Sequence, residues 1–194
     1  MSDKEQEEIQ LKPLLESDLQ HMAAWDQDVE IGYFFGFDED DSSITYRERC
    51  RALLGQPNHR LWAIETDKAG FIGEVELTQI SWRMKEAELK ICIGNPAYRG
   101  LGFGTRALQM TLEIAFTILK LKRVYLRVYQ YNNRAIRCYQ RSGFKKEAVL
   151  RNRQRFGGRN RDIYLMYIDR KMFVKNRSIC IPQASIDKES VPSL

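Results

Sequence analysis

Residues 97–108 read AYRGLGFGTRAL; within them Gly100, Gly102 and Gly104 alternate with Leu101 and Phe103, flanked by Arg99 and Thr105. Glycines at this spacing between a strand and a helix suit the holding of an anion. Backbone N–H groups at a helix start have no partner inside the helix, and the helix dipole favours negative charge there. With no side chains on the glycines, a pyrophosphate can approach the main chain and collect several N–H bonds. Arg99 supplies a countercharge.

Two familiar phosphate motifs do not fit. A phosphate loop ends in Gly-Lys-Ser/Thr, whereas Gly104 is followed by Thr105 and Arg106. A dinucleotide fingerprint is G-x-G-x-x-G within a parallel βαβ unit, whereas this spacing is G-x-G-x-G after strands that read as antiparallel. The two histidines, His21 and His59, lie far apart, and Cys50, Cys92, Cys138 and Cys180 form no C-x-x-C pair. No metal site and no Ser-His triad are expected. Catalysis falls to Glu, Asp, Tyr or Cys, and since no histidine lies near Cys92 or Cys138 in sequence to activate a thiol, the cysteines read as reduced and structural.

The elements that must position these residues follow from periodicity. Ile9 to Lys12 alternate as a first strand, and Ser17-Asp18 cap a helix carrying Leu19, Met22, Ala23 and Trp25. After an acidic loop, Ser42 or Ser43 caps a second helix that ends at Gly55-Gln56-Pro57. Leu61–Thr66, Gly70–Ile80 and Ala87–Ile93 then alternate as three antiparallel strands. A helix from Gly102 to Leu119 buries Leu108, Leu112, Ala115 and Leu119. Arg123–Tyr129 is a strand, Asn133–Ser142 a helix stopped by Gly143, and Phe144–Leu150 with Asp162–Ile168 a last hairpin.

At 194 residues and 43% hydrophobic the chain supports one core: a single α/β (α+β) domain over residues 1–174 with an irregular tail, 175–194. No window approaches the roughly 18 apolar residues of a membrane helix, so a soluble, cytoplasmic protein is expected. The net charge of +5 hides an asymmetry: residues 26–41 carry seven acids and no base, and 141–161 carry eight basic residues against one acid. Each is a candidate for a charged partner.

The spacing Arg99-x-x-Gly102-x-Gly104, followed by Asn133-x-Ala135-Ile136-x-x-Tyr139-x-x-x-Gly143-Phe144, resembles the acetyl-coenzyme A (acetyl-CoA) site of the GNAT N-acetyltransferase superfamily. The stretches GEVELTQI, AELKICI, YNNRAIRCYQRSGF and GGRNRDIYLM are most similar to the spermidine/spermine N-acetyltransferases and the ribosomal-protein N-terminal acetyltransferases. The resemblance implies the GNAT acyl-CoA N-acyltransferase fold: a mixed, mostly antiparallel sheet with flanking helices and a V-shaped splay between the fourth and fifth strands. It implies acetyl-CoA as cosubstrate. The backbone of Ile91, Cys92 and Ile93 would bond the pantetheine, the amides of Gly100, Leu101, Gly102, Phe103, Gly104 and Thr105 the pyrophosphate, and Asn133 and Ala135 the far end.

An amine attacks a thioester only when neutral, and an alkylammonium group has a pKa of about 10.4, so a site of this kind removes a proton before attack and supplies one to the departing thiolate. By resemblance Tyr139 is the general acid and Glu88 the base, with Glu76 the second candidate. The acids of residues 26–41, interleaved with Tyr33, Phe34, Phe35 and Phe37, favour a polyamine acceptor. Gln79 stands where the polyamine enzymes carry a further acid. N-terminal acetylation of a ribosomal or other protein is the alternative, and a non-catalytic acetyl-CoA or amine-binding module a further one. The basic stretch Arg151–Arg161 reads as a solvated hairpin or a contact between copies of the chain rather than a nucleic-acid surface.

Overall fold

The computed structural model describes residues 7–35, 44–156 and 159–177. Seven strands form one sheet: β1 (Ile9–Pro13), β2 (Arg60–Thr66), β3 (Gly70–Ser81), β4 (Glu86–Cys92), β5 (Arg123–Tyr129), β6 (Lys145–Phe156) and β7 (Arg159–Asp169). Their spatial order is β1-β2-β3-β4-β5-β7-β6. Every neighbouring pair is antiparallel except β4 and β5, which run parallel.

That one parallel junction shapes the molecule. β4 and β5 pair only at Glu86–Arg123, Ala87–Val124 and Glu88–Tyr125. Beyond these, β5 keeps its partner β7 as far as Tyr129 and β4 keeps β3 as far as Cys92, so the two strands separate from each other while each stays anchored on its outer side. This is the expected V-shaped splay, held open by the two antiparallel flanks.

Alternation along β3 and β4 sends side chains to two different cores. Val75, Leu77, Ala87 and Leu89 pack with Phe103, Leu108 and Leu112 of α3 (Phe103–Glu113). Ala63, Leu61 and Cys92 face a smaller cluster with Leu19, Met22, Trp25 and Tyr46. Cross-strand register places Glu74 opposite Cys92, Glu76 opposite Lys90 and Thr78 opposite Glu88 on this second face.

Several elements differ from the periodic reading. The segment after Ser17-Asp18 is a 3-10 helix, Glu16–Met22, and Asp18 accepts from the Leu15 amide at 2.8 Å. Part of the expected acidic loop is a short helix, α1 (Val29–Phe35), because Asp28 Oδ1 accepts from the amides of Glu30 at 2.8 Å and Ile31 at 3.1 Å. Helix α2 (Tyr46–Leu53) is capped by Thr45 through a reciprocal bond pair with Glu48, whereas Ser42 and Ser43 lie outside the described residues. α3 continues into a π turn, Ile114–Ile118, which lets Ile114, Ala115 and Phe116 all be buried in succession. Helix α4 (Asn133–Arg141) ends at Gly143, whose φ of +94° is the expected left-handed stop. The final hairpin is longer than expected, and α5 (Arg170–Arg177) follows it, with Phe173 against Phe116.

Candidate active site

A cleft of about 430 Å³ opens at the splay. One wall is the end of β4, where Ile91, Cys92 and Ile93 line it. The floor is the glycine loop. Gly102 sits at φ +89° and its carbonyl accepts the first α3 hydrogen bond, from the Arg106 amide at 3.1 Å. A left-handed residue there turns the chain sharply into the helix without a capping side chain. Gly100, Gly102, Gly104 and Thr105 all line the cleft, and a Cβ added at Gly100 or Gly102 would meet nothing within 4 Å. These two glycines therefore keep backbone open to the cleft in a conformation other residues rarely adopt.

Leu101 and Phe103 point elsewhere. Phe103 is fully buried, edge-on to Tyr98 at 5.1 Å, and Leu101 packs on the same core; only their backbone stays with the loop.

The third wall is α4. Ala135, Cys138 and Tyr139 line the cleft, and Cys138 Sγ lies 3.3 Å from Thr105 Oγ1, tying α4 to the start of α3. Tyr139 is buried against Phe144. Burial, reinforced by the neighbouring Cys138 and Cys92, pushes its phenol far above the ordinary range, so it holds its proton. Asn133 is exposed and outside the lining, while its neighbour Asn132 lines the cleft and caps α4 by accepting from the Ala135 amide at 3.0 Å.

Arg99 lines the cleft but is already engaged. Its guanidinium donates to Ile93 O at 2.8 Å, Gly94 O at 2.8 Å, Asp28 at 2.6 Å and Glu30 at 2.6 Å. It fastens the glycine loop to α1 and β4 instead of standing ready as a countercharge. Burial alone would raise the Asp28 pKa, but the Arg99 bond and the two α1 amides outweigh it and hold the carboxyl below the usual range. Basic charge for a ligand comes instead from Arg134, Arg137 and Arg141, which share one face of α4 and line the cleft. Their i, i+3, i+7 spacing was visible in NNRAIRCYQRSGF. Arg134 reaches Glu30 at 2.7 Å.

The two predicted glutamates lie outside the cleft lining. Glu88 is buried and forms a two-pronged bond with Arg127, 2.8 Å on each oxygen. Glu76 is buried and bound by Arg49 at 2.8 and 3.2 Å, with Lys90 at 3.9 Å. A third buried carboxylate, Glu74, lies beside Glu76, accepts from the Tyr46 hydroxyl and stands 3.7 Å from Arg49. Burial, with Glu76 adding to it, pushes Glu74 up to about 8 against the pull of Arg49 and Tyr46. Glu74 is the residue the sequence reading passed over; its signal was a second acid at i−2 from Glu76 on the same strand face.

An acetyltransferase (GNAT) domain matches residues 8–145. The chain belongs to the GNAT acetyltransferase family. The splayed sheet is thus a GNAT fold, and the chain's chemistry is acyl transfer. Among GNAT relatives, the spermidine N(1)-acetyltransferase of Escherichia coli K12 is 28% identical over 162 residues, covering 82% of this chain and 85% of that protein. The Vibrio cholerae spermidine N(1)-acetyltransferase is 34% identical over 119 residues, covering 61% and 68%. The crystal structure of the V. cholerae spermidine N-acetyltransferase in complex with CoA and spermine superposes with a TM-score of 0.75 at 27% identity, covering 86% of this chain and 98% of that one. Among the described residues no cluster of His, Cys, Asp or Glu could hold a metal ion, and no helix is long and apolar enough to cross a membrane.

Proposed function

We propose that this protein transfers an acetyl group from acetyl-CoA to a primary amine of a polyamine such as spermidine, by direct attack in the cleft between the end of β4 and α4. The observation that carries the reading is the splay itself. Strand backbone at Ile91–Ile93, open glycine amides and an α4 arginine face converge on one cleft, and the relative of the same fold is described with CoA and spermine bound. The residues fit the cosubstrate: Gly100–Thr105 and Arg137 and Arg141 meet its phosphates, and the β4 edge meets its pantetheine. Acetyl-CoA supplies an activated thioester, and the chain's own residues orient it and move protons. Tyr139 keeps its proton and gives it to the departing thiolate.

The acceptor enters from the α1 side, where Glu30, Phe34 and Phe35 line the cleft. Carboxylate and ring faces together suit an alkylammonium chain. The run Asp38–Asp41 and Phe37 lie outside the described residues. We place the protein in the cytoplasm, in keeping with the unpaired Cys50, Cys92 and Cys138, and as a homo-oligomer, since the V. cholerae relative is described as dodecameric.

The test is free-thiol release from acetyl-CoA with spermidine as acceptor. Tyr139→Phe is expected to slow release by roughly 10²-fold or more while the thermal shift produced by CoA stays unchanged. Release undiminished by that change would remove Tyr139 from the chemistry.

A further inference from the structure

Three carboxylates sit on one face of β3 and β4, and they are not equivalent. Glu76 and Glu88 are each gripped by an arginine on both oxygens. A carboxylate so held has both oxygens engaged by its arginine. Glu74 is fully buried, and while its Oε1 accepts from Tyr46, its Oε2 has no partner. A carboxylate left with a spare oxygen in the interior costs stability.

Its position is what makes it useful. Glu74 is the cross-strand partner of Cys92, and Cys92 lines the cleft. The Tyr46 hydroxyl donates to the Glu74 carboxylate and neighbours the Cys92 thiol, and Tyr46 packs edge-on against Phe35, which also lines the cleft, at 4.9 Å. Cys92, Tyr46 and Glu74 thus form a row of neighbouring polar groups from the cleft wall to a buried carboxylate with an oxygen to spare.

We propose that Glu74, acting through Tyr46 and Cys92, is the proton acceptor for the attacking ammonium group, in place of Glu76 or Glu88. The inference rests on the acetyl-transfer reading. The ammonium nitrogen loses a proton into the row, each member passing its own proton inward, so that Tyr46 gives its hydroxyl proton to Glu74 and is itself reprotonated from the cleft side. The freed nitrogen pair forms the C–N bond, the C–S bond breaks with its electrons on sulfur, the thiolate takes the Tyr139 proton, and the second nitrogen proton, lost as the amide forms, restores the Tyr139 phenol. Nothing is oxidised or reduced, and Glu74 later returns its proton to solvent. The charged and titratable groups facing Glu74 are Tyr46, Arg49 and Cys50 from α2, Cys92 and Lys90 from β4, and Glu76 on its own strand.

The experiment is a pH profile of spermidine acetylation by the full-length wild-type protein and by Glu74→Gln, Glu74→Asp and Tyr46→Phe. Wild-type kcat is expected to rise with pH through an inflection near pH 8, where Glu74 loses its proton. Glu74→Gln loses the inflection and about a hundredfold or more in kcat, with an unchanged CoA thermal shift; Glu74→Asp keeps the inflection and recovers part of the rate. Tyr46→Phe removes a bond that favours the carboxylate, so its inflection moves to higher pH and its kcat falls. A Glu74→Gln protein that keeps the inflection, at any rate or stability, overturns the proposal and leaves the acetyltransferase reading standing. Carboxyl-carbon NMR of Glu74 in the free wild-type protein reads the same group without turnover, and titration below about pH 5 would also overturn it.

Discussion

Glu74 has consequences for stability as well as for rate. Its pKa of about 8 in the folded protein stands above the ordinary 4.5 because burial and Glu76 disfavour its charge. A raised acid contributes stability that is whole below the unfolded value and is lost as pH rises through the folded one. Wild-type Tm is therefore expected to fall between about pH 4.5 and pH 8, and Glu74→Gln to flatten that fall and be the more stable protein at the alkaline end. Differential scanning calorimetry across the range checks it; parallel curves would mean that Glu74 is ionised throughout. At this scale the residue read from the sequence and the residue that lines the cleft are in one case neighbours in the chain. Asn133 was expected at the cofactor and Asn132 lines the cleft, because a capping side chain belongs to the residue before the helix. Glu76 and Glu88 were legible as strand acids, but their arginines, Arg49 on α2 and Arg127 on β5, come from elements distant in sequence. No spacing rule connects such partners.

Among the elements, α1 shows where local reading ends. The strand alternation of β2 to β5 and the long α3 were readable because each repeats its period several times. α1 spans only Val29–Phe35 within an acidic segment, and much of what fixes it is tertiary: Asp28 caps it while holding Arg99, and Glu30 bridges Arg99 and Arg134. Arg99 thereby joins the glycine loop, the end of β4 and α1 with a side chain only 9% exposed. Breaking a buried ion pair by removing one partner costs about 3–5 kcal/mol, so Arg99→Met is expected to lose about 3 kcal/mol in urea unfolding, Glu30 being partly solvated. It should also raise the KM for spermidine more than that for acetyl-CoA, since α1 lines the acceptor side and the loop amides remain. An equal rise in both constants would mean that Arg99 serves the cosubstrate directly.

Across the whole molecule, the charge asymmetry seen along the chain becomes a polarity across one cleft. The acids of residues 28–30 stand at the α1 end, and Arg137 and Arg141 stand along α4, with no ion-pair partner for either arginine among the described residues. A cosubstrate that carries phosphates at one end and meets an ammonium at the other matches this polarity, and the net charge of +5 describes neither end. Fields of exposed charges are screened over about 8 Å at physiological ionic strength, so CoA binding should weaken as salt rises. A hydrogen bond to a charged group contributes about 1.5–3 kcal/mol, less when exposed, so Arg137→Gln with Arg141→Gln is expected to weaken CoA binding by roughly tenfold. The double variant should also show a shallower salt dependence, with the KM for spermidine unchanged. Isothermal titration of CoA at several salt concentrations measures both effects. Unchanged affinity with the wild-type salt slope would assign the phosphates to the glycine-loop amides alone, leaving the α4 arginines to the solvent.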